Sequence, residues 1–267
     1  MTGPFLVALD VDGTLISYDG ELSAEVRGAV GDLVAAGHHV VIATGRSVHS
    51  TVPIYRALDL TAGWLVCSNG AVTATIDPRS EAGWRAHEVV TFDPTFAVRL
   101  LVEEFPGVRF AVEELGAGYR LNAPFPDGEL SGQIEVVDLD ELCSRPVTRL
   151  VVRAPDHTDE EFDRVVGRLG LHDVTYSVGY NRWLDIAPAG ISKASALEAV
   201  RRELDVAPER TVAVGDGGND LEMLGWAARG VAMGHAAREV RAAADEVTGT
   251  IDDDGLVPVL RSLVGRP

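Results

Sequence analysis

The chain has 267 residues, of which 46% are hydrophobic, so it is long enough for two packed units and too apolar for general disorder. Acidic residues outnumber basic ones 41 to 23, giving a net charge of −18 without any Lys/Arg-rich run. That balance excludes nucleic acid as the main partner, and it obliges any anionic substrate to be drawn in by a local site against the overall field.

The first third alternates strand and helix signals. The run "PFLVALD" reads as a strand, and "SAEVRGAVGDLVAAG" as a helix with an apolar stripe at Val26, Val30, Leu33 and Val34, closed by Gly37. "HHVVIATG" is a continuous β-branched run, hence a strand buried on both faces, followed by a Pro-interrupted helix in "VHSTVPIYRALDL" and a third strand in "GWLVCSNGA". This order predicts a parallel sheet covered by helices on both sides. From about residue 80 the character changes. After a linker-like "DPRSEAG", the segments "WRAHEVVTF", "PTFAVRLLVEEF", "GVRFAVEEL" and "GYRLNAP" read as strand, helix, strand, strand. "VTRLVVRAP", "DEEFDRVVGRLG", "DVTYSVG" and "NRWLDIAP" repeat that order, which suggests an internal βαββ duplication and an antiparallel sheet. The last stretch returns to the α/β pattern: helix "SKASALEAVRREL", buried strand "RTVAVGD", helix "NDLEMLGWAA", short strand "RGVAMG", then helical "AAREVRAAAD" and "LVPVLRSLV". The sequence therefore predicts a discontinuous α/β core, residues 1–80 and 188–267, interrupted by an α+β insert over 81–187.

Ligands of parallel sheets bind beyond the carboxyl ends of the strands. Strand one ends at Asp10, with Asp12 just past it; like charges so close call for a positive partner, and a metal ion is the natural one. Strand two ends at Thr44, Gly45 and Arg46, strand three at Ser68, Asn69 and Gly70, and the strand of the last third at Asp216, Asn219 and Asp220. Four polar strand ends on one rim have no explanation in stability alone. "DVDGTL" starts like a calcium loop but has Leu15 where that loop needs glycine, and "GDGGND" starts like a dinucleotide fingerprint but has Asp220 at its sixth position. Lys193 stands in the first turn of a helix capped by Ser192, where a cation opposes the helix dipole; beside an oxygen-rich rim it reads as a phosphate ligand and carboxylate partner. The two cysteines, Cys67 and Cys143, lack any paired pattern and read as reduced thiols, and the seven histidines have no zinc-ligand spacing. No leader-like start and no membrane-length apolar run occurs, so a soluble cytoplasmic protein without a membrane partner is expected.

"DVDGTL", "ATGR", "SNGA", "ISKASAL" and "VGDGGNDLEML", in that order, resemble the motifs of the haloacid dehalogenase-like superfamily, most closely its Cof-type phosphatases. The resemblance spans the whole chain. It implies a Rossmann-like core with a large inserted cap, Mg²⁺ as cofactor, and a small phosphate ester, such as a sugar phosphate, as substrate. It further implies that Asp10 is the nucleophile, forming an aspartyl-phosphate, and that Asp12 is the general acid and base. Thr44 and Lys193 would bind the transferring phosphoryl group, with Gly45, Arg46, Asn69 and Asn219 around it. Asp216 would hold the metal with Asp10 and the Asp12 main chain, supported by Asn219 and Asp220. Two departures from the family pattern, Ala194 after the lysine and His235 in "AMGHA", touch neither catalytic carboxylate. A phosphomutase of the same fold and a non-catalytic phosphate- or metal-binding protein are the alternatives, and either a monomer or a homodimer fits. Arg120, Tyr180 and Arg182 are the candidates for substrate contacts from the insert.

Overall fold

The computed structural model describes residues 3–166, 174–179 and 182–265. Its first sheet has the order β14-β13-β12-β1-β2-β3-β4-β5. The central strands are β1 (Leu6–Leu9), β2 (His39–Ala43), β3 (Trp64–Cys67), β12 (Thr211–Gly215) and β13 (Arg229–Ala232), joined by the short β14 (Glu246–Val247). All these pair in parallel, whereas β4 (Val72–Ile76) and β5 (Trp84–Val89) extend the sheet antiparallel beyond β3. The period of two explains why β1 reads as an uninterrupted apolar run. Val7 and Leu9 enter the core beneath α1 (Ala24–Ala35), α2 (Val48–Ala57) and α9 (Leu256–Arg261), while Leu6 and Ala8 enter the core beneath α6 (Lys193–Glu203), α7 (Leu221–Trp226) and α8 (Arg238–Ala243).

Two sequence expectations change here. The buried stripe of α1 is Val26, Ala29, Val30 and Leu33, and Val34 is 40% exposed; one residue beyond Leu33 turns it about 100° off the stripe. The segment beginning "WRAHE", expected as the first strand of the insert, is instead β5, hydrogen-bonded to β4 at the edge of the core sheet with Trp84 packed on the core. Sheet membership thus carries the boundary expected at residue 81 beyond Val89.

A second sheet has the order β10-β11-β9-β6-β7-β8. Its strands are β6 (Arg109–Glu114), β7 (Gly118–Leu121), β8 (Gln133–Val136), β9 (Leu150–Arg153), β10 (Val174–Gly179) and β11 (Trp183–Pro188). Its helices are α3 (Thr95–Glu104), α4 (Leu139–Leu142) and α5 (Asp159–Val166). The repeat within it is αββ, α3-β6-β7 and α5-β10-β11, because the strand expected to open the first copy went to the core sheet. Phe110, Val112, Leu150, Val152, Leu184 and Ile186 pack on one face against α3 and α5, giving this sheet a hydrophobic core of its own. Alternation then fixes what stands on the other face: Tyr119, Glu113 and Arg149 in one cross-strand row, Val151, Asp185 and Ser177 in the next. That face meets the rim of the core sheet, where Ser68 after β3 donates to Glu113 and the Tyr119 hydroxyl stands near that of Ser47.

Candidate active site

The Asp10 N–H donates to the Val214 carbonyl at 3.0 Å, which places its carboxylate at the end of β1, the strand between β12 and β2. Lys193 opens α6 behind its N-cap Ser192, and the helix directs the ammonium to the same spot. Its Nζ donates to Asp10 Oδ1 and to Asp220 Oδ1, both at 2.7 Å, and the residue is only 1% exposed. Two carboxylates therefore compensate for a cation that the helix dipole disfavours. Burial pulls the lysine down, but the charges and hydrogen bonds of Asp10 and Asp220 prevail and hold it above its ordinary value.

Asp220 also orders the loop after β12, its Oδ2 accepting from the N–H groups of Asp216 and Gly217 at 3.0 and 2.9 Å. A Cβ at Gly215 would come within 2.4 Å of that carboxyl, so only glycine fits there. Across the loop, Asp216 accepts from Tyr18 and lies 3.5 Å from His235 Nε2. Ile251 N–H donates to His235 Nδ1, which leaves the ring proton on Nε2, facing Asp216. A side chain at Gly13, where φ is +79°, would strike Asp216 at 2.5 Å.

The carboxylates of Asp10, Asp216 and Asp220 offer ligand atoms all within 4.8 Å of one another, and all three residues are buried. Burial, with the charges of Asp220 and Asp216, raises Asp10 well above the usual carboxylate range against the pull of Lys193. Burial also raises Asp216, opposed by its hydrogen bond from Tyr18. Hard oxygen donors crowded around one point, with negative charge in excess of the single lysine, suit a hard divalent cation. The residues present fit that group.

Beside this cluster, Thr44 is buried and its Oγ1 accepts from Arg46 N–H at 3.1 Å. Asn219 Nδ2 donates to Asn69 Oδ1 at 2.9 Å, above Gly45, where a Cβ would lie 3.1 Å from Asn69 Oδ1. Asp12, half-exposed, is held by the Arg46 guanidinium, whose Nε donates at 2.8 Å. A cavity next to Lys193, Asn69 and Asn219 is closed from the cap side by β10 and β11.

The sequence matches the haloacid dehalogenase-like hydrolase family over residues 7–260. The chain belongs to that family. The hydrolase is 31% identical to 5-amino-6-(5-phospho-D-ribitylamino)uracil phosphatase of Bacillus subtilis, with 97% of each chain covered. It is 30% identical to a phosphoglycolate phosphatase of Natronomonas pharaonis, with 95% of each covered. Among solved structures, a phosphatase of the superfamily from Bacteroides thetaiotaomicron superposes with a TM-score of 0.77 at 28% identity, covering 97% of this chain and 94% of the other. A subclass IIB sugar phosphatase superposes with a TM-score of 0.77 at 25% identity, covering 97% and 98%. This hydrolase is thus a phosphatase, a phosphoric monoester hydrolase of the Cof type.

The rim unites Asp10, Asp12, Thr44, Gly45, Arg46, Asn69, Lys193, Asp216, Asn219 and Asp220, the residues picked from the sequence. The picks from the insert fare differently. Arg120 stands opposite Val112, on the face with the hydrophobic core, where it pairs with Glu114 and donates to the Glu141 carbonyl. Arg182 donates to the His157 carbonyl at 2.9 Å and faces Asp159, and Tyr180 lies outside the described residues. The polar groups that do face the rim, Glu113, Tyr119, Arg149 and Asp185, were missed; the strand period of two in "RFAVEE" and "WLDIAP" was the signal for them.

Proposed function

We propose that this protein is a magnesium-dependent phosphatase that hydrolyses a small phosphorylated metabolite, a sugar or polyol phosphate or a similar monoester, through an aspartyl-phosphate on Asp10. The observation that carries the reading is the Asp10 carboxylate, fixed by the buried Lys193 ammonium at 2.7 Å within a cluster of three acids. Lys193 opposes the rise that burial imposes on Asp10 and aims one oxygen, while Asp216, Asp10 and the Asp12 main chain would hold the ion, with Asn219 and Asp220 in support. Mg²⁺ held there would offset the negative charge on the phosphoryl oxygens.

Thr44, the Asn69–Asn219 carboxamide pair and the open backbone of Gly45 seat the phosphoryl group. Asp10 attacks phosphorus, the bond to the ester oxygen breaks, and Asp12 delivers a proton to that departing oxygen. In the substrate-free arrangement the Arg46 guanidinium pairs with Asp12. Transfer of that guanidinium to the anionic oxygens of the ester releases Asp12 to act as acid. Asp12 then takes a proton from the water that cleaves the aspartyl-phosphate, which restores Asp10 and liberates phosphate. The insert closes over the rim as a cap, excludes water and supplies contacts to the leaving group. The relatives named for a ribitylaminouracil phosphate and for phosphoglycolate carry very different leaving groups on this rim, so the cap is where the substrate is chosen.

The test is phosphate release across a panel of phosphorylated metabolites and p-nitrophenyl phosphate, with Mg²⁺ and after metal removal in chelator. Release that vanishes in chelator and returns with Mg²⁺ is expected. Undiminished release from metal-stripped protein would refute the magnesium reading, and no release from any ester would refute the phosphatase reading.

A further inference from the structure

The phosphatase reading leaves open what kind of alcohol departs, and the cavity beside Lys193 bears on it. Its core wall carries the carboxamides of Asn69 and Asn219 and the carboxylate of Glu222, and its cap wall carries Ser177 and Asp185. Among the described residues lining it, Lys193 is the one cation, and Asp10 and Asp220 already engage that ammonium.

Two further cations stand behind this lining: Arg46 pairs with Asp12 on the rim, and Arg149 lies behind Asp185. Arg149 is 6% exposed, and its Nε donates to Asp185 Oδ1 at 2.6 Å while its Nη1 donates to the Tyr119 hydroxyl at 3.2 Å. Trp183 Nε1 donates to Asp185 Oδ2 at 3.0 Å. One donor on each oxygen locks the carboxylate in place and leaves each oxygen a further lone pair. The guanidinium is therefore paired with the carboxylate that lines the cavity and does not itself line it, and Glu113 is its cross-strand neighbour. The wall is rich in acceptors, and its own cations are matched.

We propose that this cavity selects phosphate esters whose leaving alcohol carries hydroxyl or N–H donors and no second anionic group, with Asp185 as the specificity-determining residue that rejects the anion. Hydroxyls of a sugar or polyol find fixed acceptors here, each such pairing avoiding an unsatisfied polar group. A second phosphate or carboxylate would stand against Asp185 and Glu222 with no unengaged cation among the described residues that line the cavity, within a chain of net charge −18. The same balance opposes the bisphosphate activator that a phosphomutase requires.

Sorbitol 6-phosphate and 6-phosphogluconate test this directly, because they differ only in a hydroxymethyl or a carboxylate at the end far from phosphorus. With Mg²⁺, kcat/KM is expected to favour the polyol ester by about tenfold or more. Asp185→Asn, which removes the rejecting charge and frees Arg149, should shrink that ratio by about tenfold. Glu222→Gln alters an exposed side chain, poses no threat to folding, and should shrink the ratio by about twofold. Equal rates in the unaltered protein, a preference for 6-phosphogluconate, or a ratio unmoved by both substitutions would overturn the proposal. If no ester is hydrolysed, p-nitrophenyl phosphate included, the phosphatase reading is what has failed. Calorimetric binding of the same two ligands then decides the cavity's preference, and equal or tighter binding of 6-phosphogluconate overturns it.

Discussion

On the core side of the site the chemical groups stand at strand ends and helix starts; on the cap side they stand along strands or beside them. The core groups are Asp10, Thr44, Asn69 and Asp216, at the ends of β1, β2, β3 and β12, and parallel pairing brings those ends to one edge. The cap groups are Glu113 in β6, Arg149 just before β9 and Asp185 in β11, on the opposite face from the apolar side chains under α3 and α5. The first arrangement fixes a reaction, since strand ends and helix starts cannot shift without moving the sheet. The second permits change, because any outward position of a pleated strand accepts a new side chain without disturbing the core behind it.

This difference predicts that core substitutions scale all esters together unless they touch the leaving oxygen, while cap substitutions change ratios between esters. The largest effect among the variants that sharpen it belongs to Asp12→Asn. Loss of the proton donor should lower kcat/KM for an alkyl phosphate by about 10²–10⁴-fold, with a smaller loss for p-nitrophenyl phosphate, whose leaving group needs little protonation. Equal losses on both, with the first chemical step shown to be rate-limiting, would remove Asp12 from that role.

The residues of this comparison were not equally legible in the sequence. Asp10, Lys193 and Asp216 could be read because short motifs sit at strand ends and helix starts, where apolar runs stop abruptly. Arg120 misleads because charge does not show strand parity: it shares a face with Val112, and Tyr119 next to it faces the rim; Arg182 stands in the turn before β11, where no period applies. β5 was assigned to the insert because an edge strand's exposed, mixed sequence does not reveal which sheet it joins. Asp185 lies two residues from Trp183, and only the fold shows Arg149 against it.

A smaller effect comes from Gly45→Ala. The added methyl would press on Asn69 and Asn219 and displace the carboxamide pair by a few tenths of an ångström. It is expected to lower kcat/KM for every ester alike, by about tenfold. A change in the ratio between two esters would break the division of labour between rim and cap.

The smallest effect lies outside both regions. The Glu198 carboxyl is pulled down to about 2 by its hydrogen bond from Arg201, with those from Trp226 and Arg202, against an ordinary value of 4.5. A lowered carboxylate stabilises the fold above its unfolded-state value and loses that contribution as pH falls through the folded one. Glu198→Gln should therefore cost about 0.5 kcal/mol at neutral pH, after allowance for solvent screening. The gap in melting temperature should close between pH 4.5 and about pH 2, and hydrolysis should be unaffected. A gap independent of pH would assign the loss to packing, and a changed ester ratio would couple α6 to the cap.

The central claim is that the Asp10 carboxylate takes the phosphoryl group. Rapid mixing with substrate and Mg²⁺, acid quenching and mass analysis of the resulting peptides test it most directly. The account predicts one added phosphoryl group on the peptide that contains Asp10, formed and lost at rates that accommodate turnover, and absent from the Asp10→Asn protein, which should release no phosphate above background. A phosphoryl group on another residue, or turnover by Asp10→Asn within a few-fold of the unaltered protein, would contradict it.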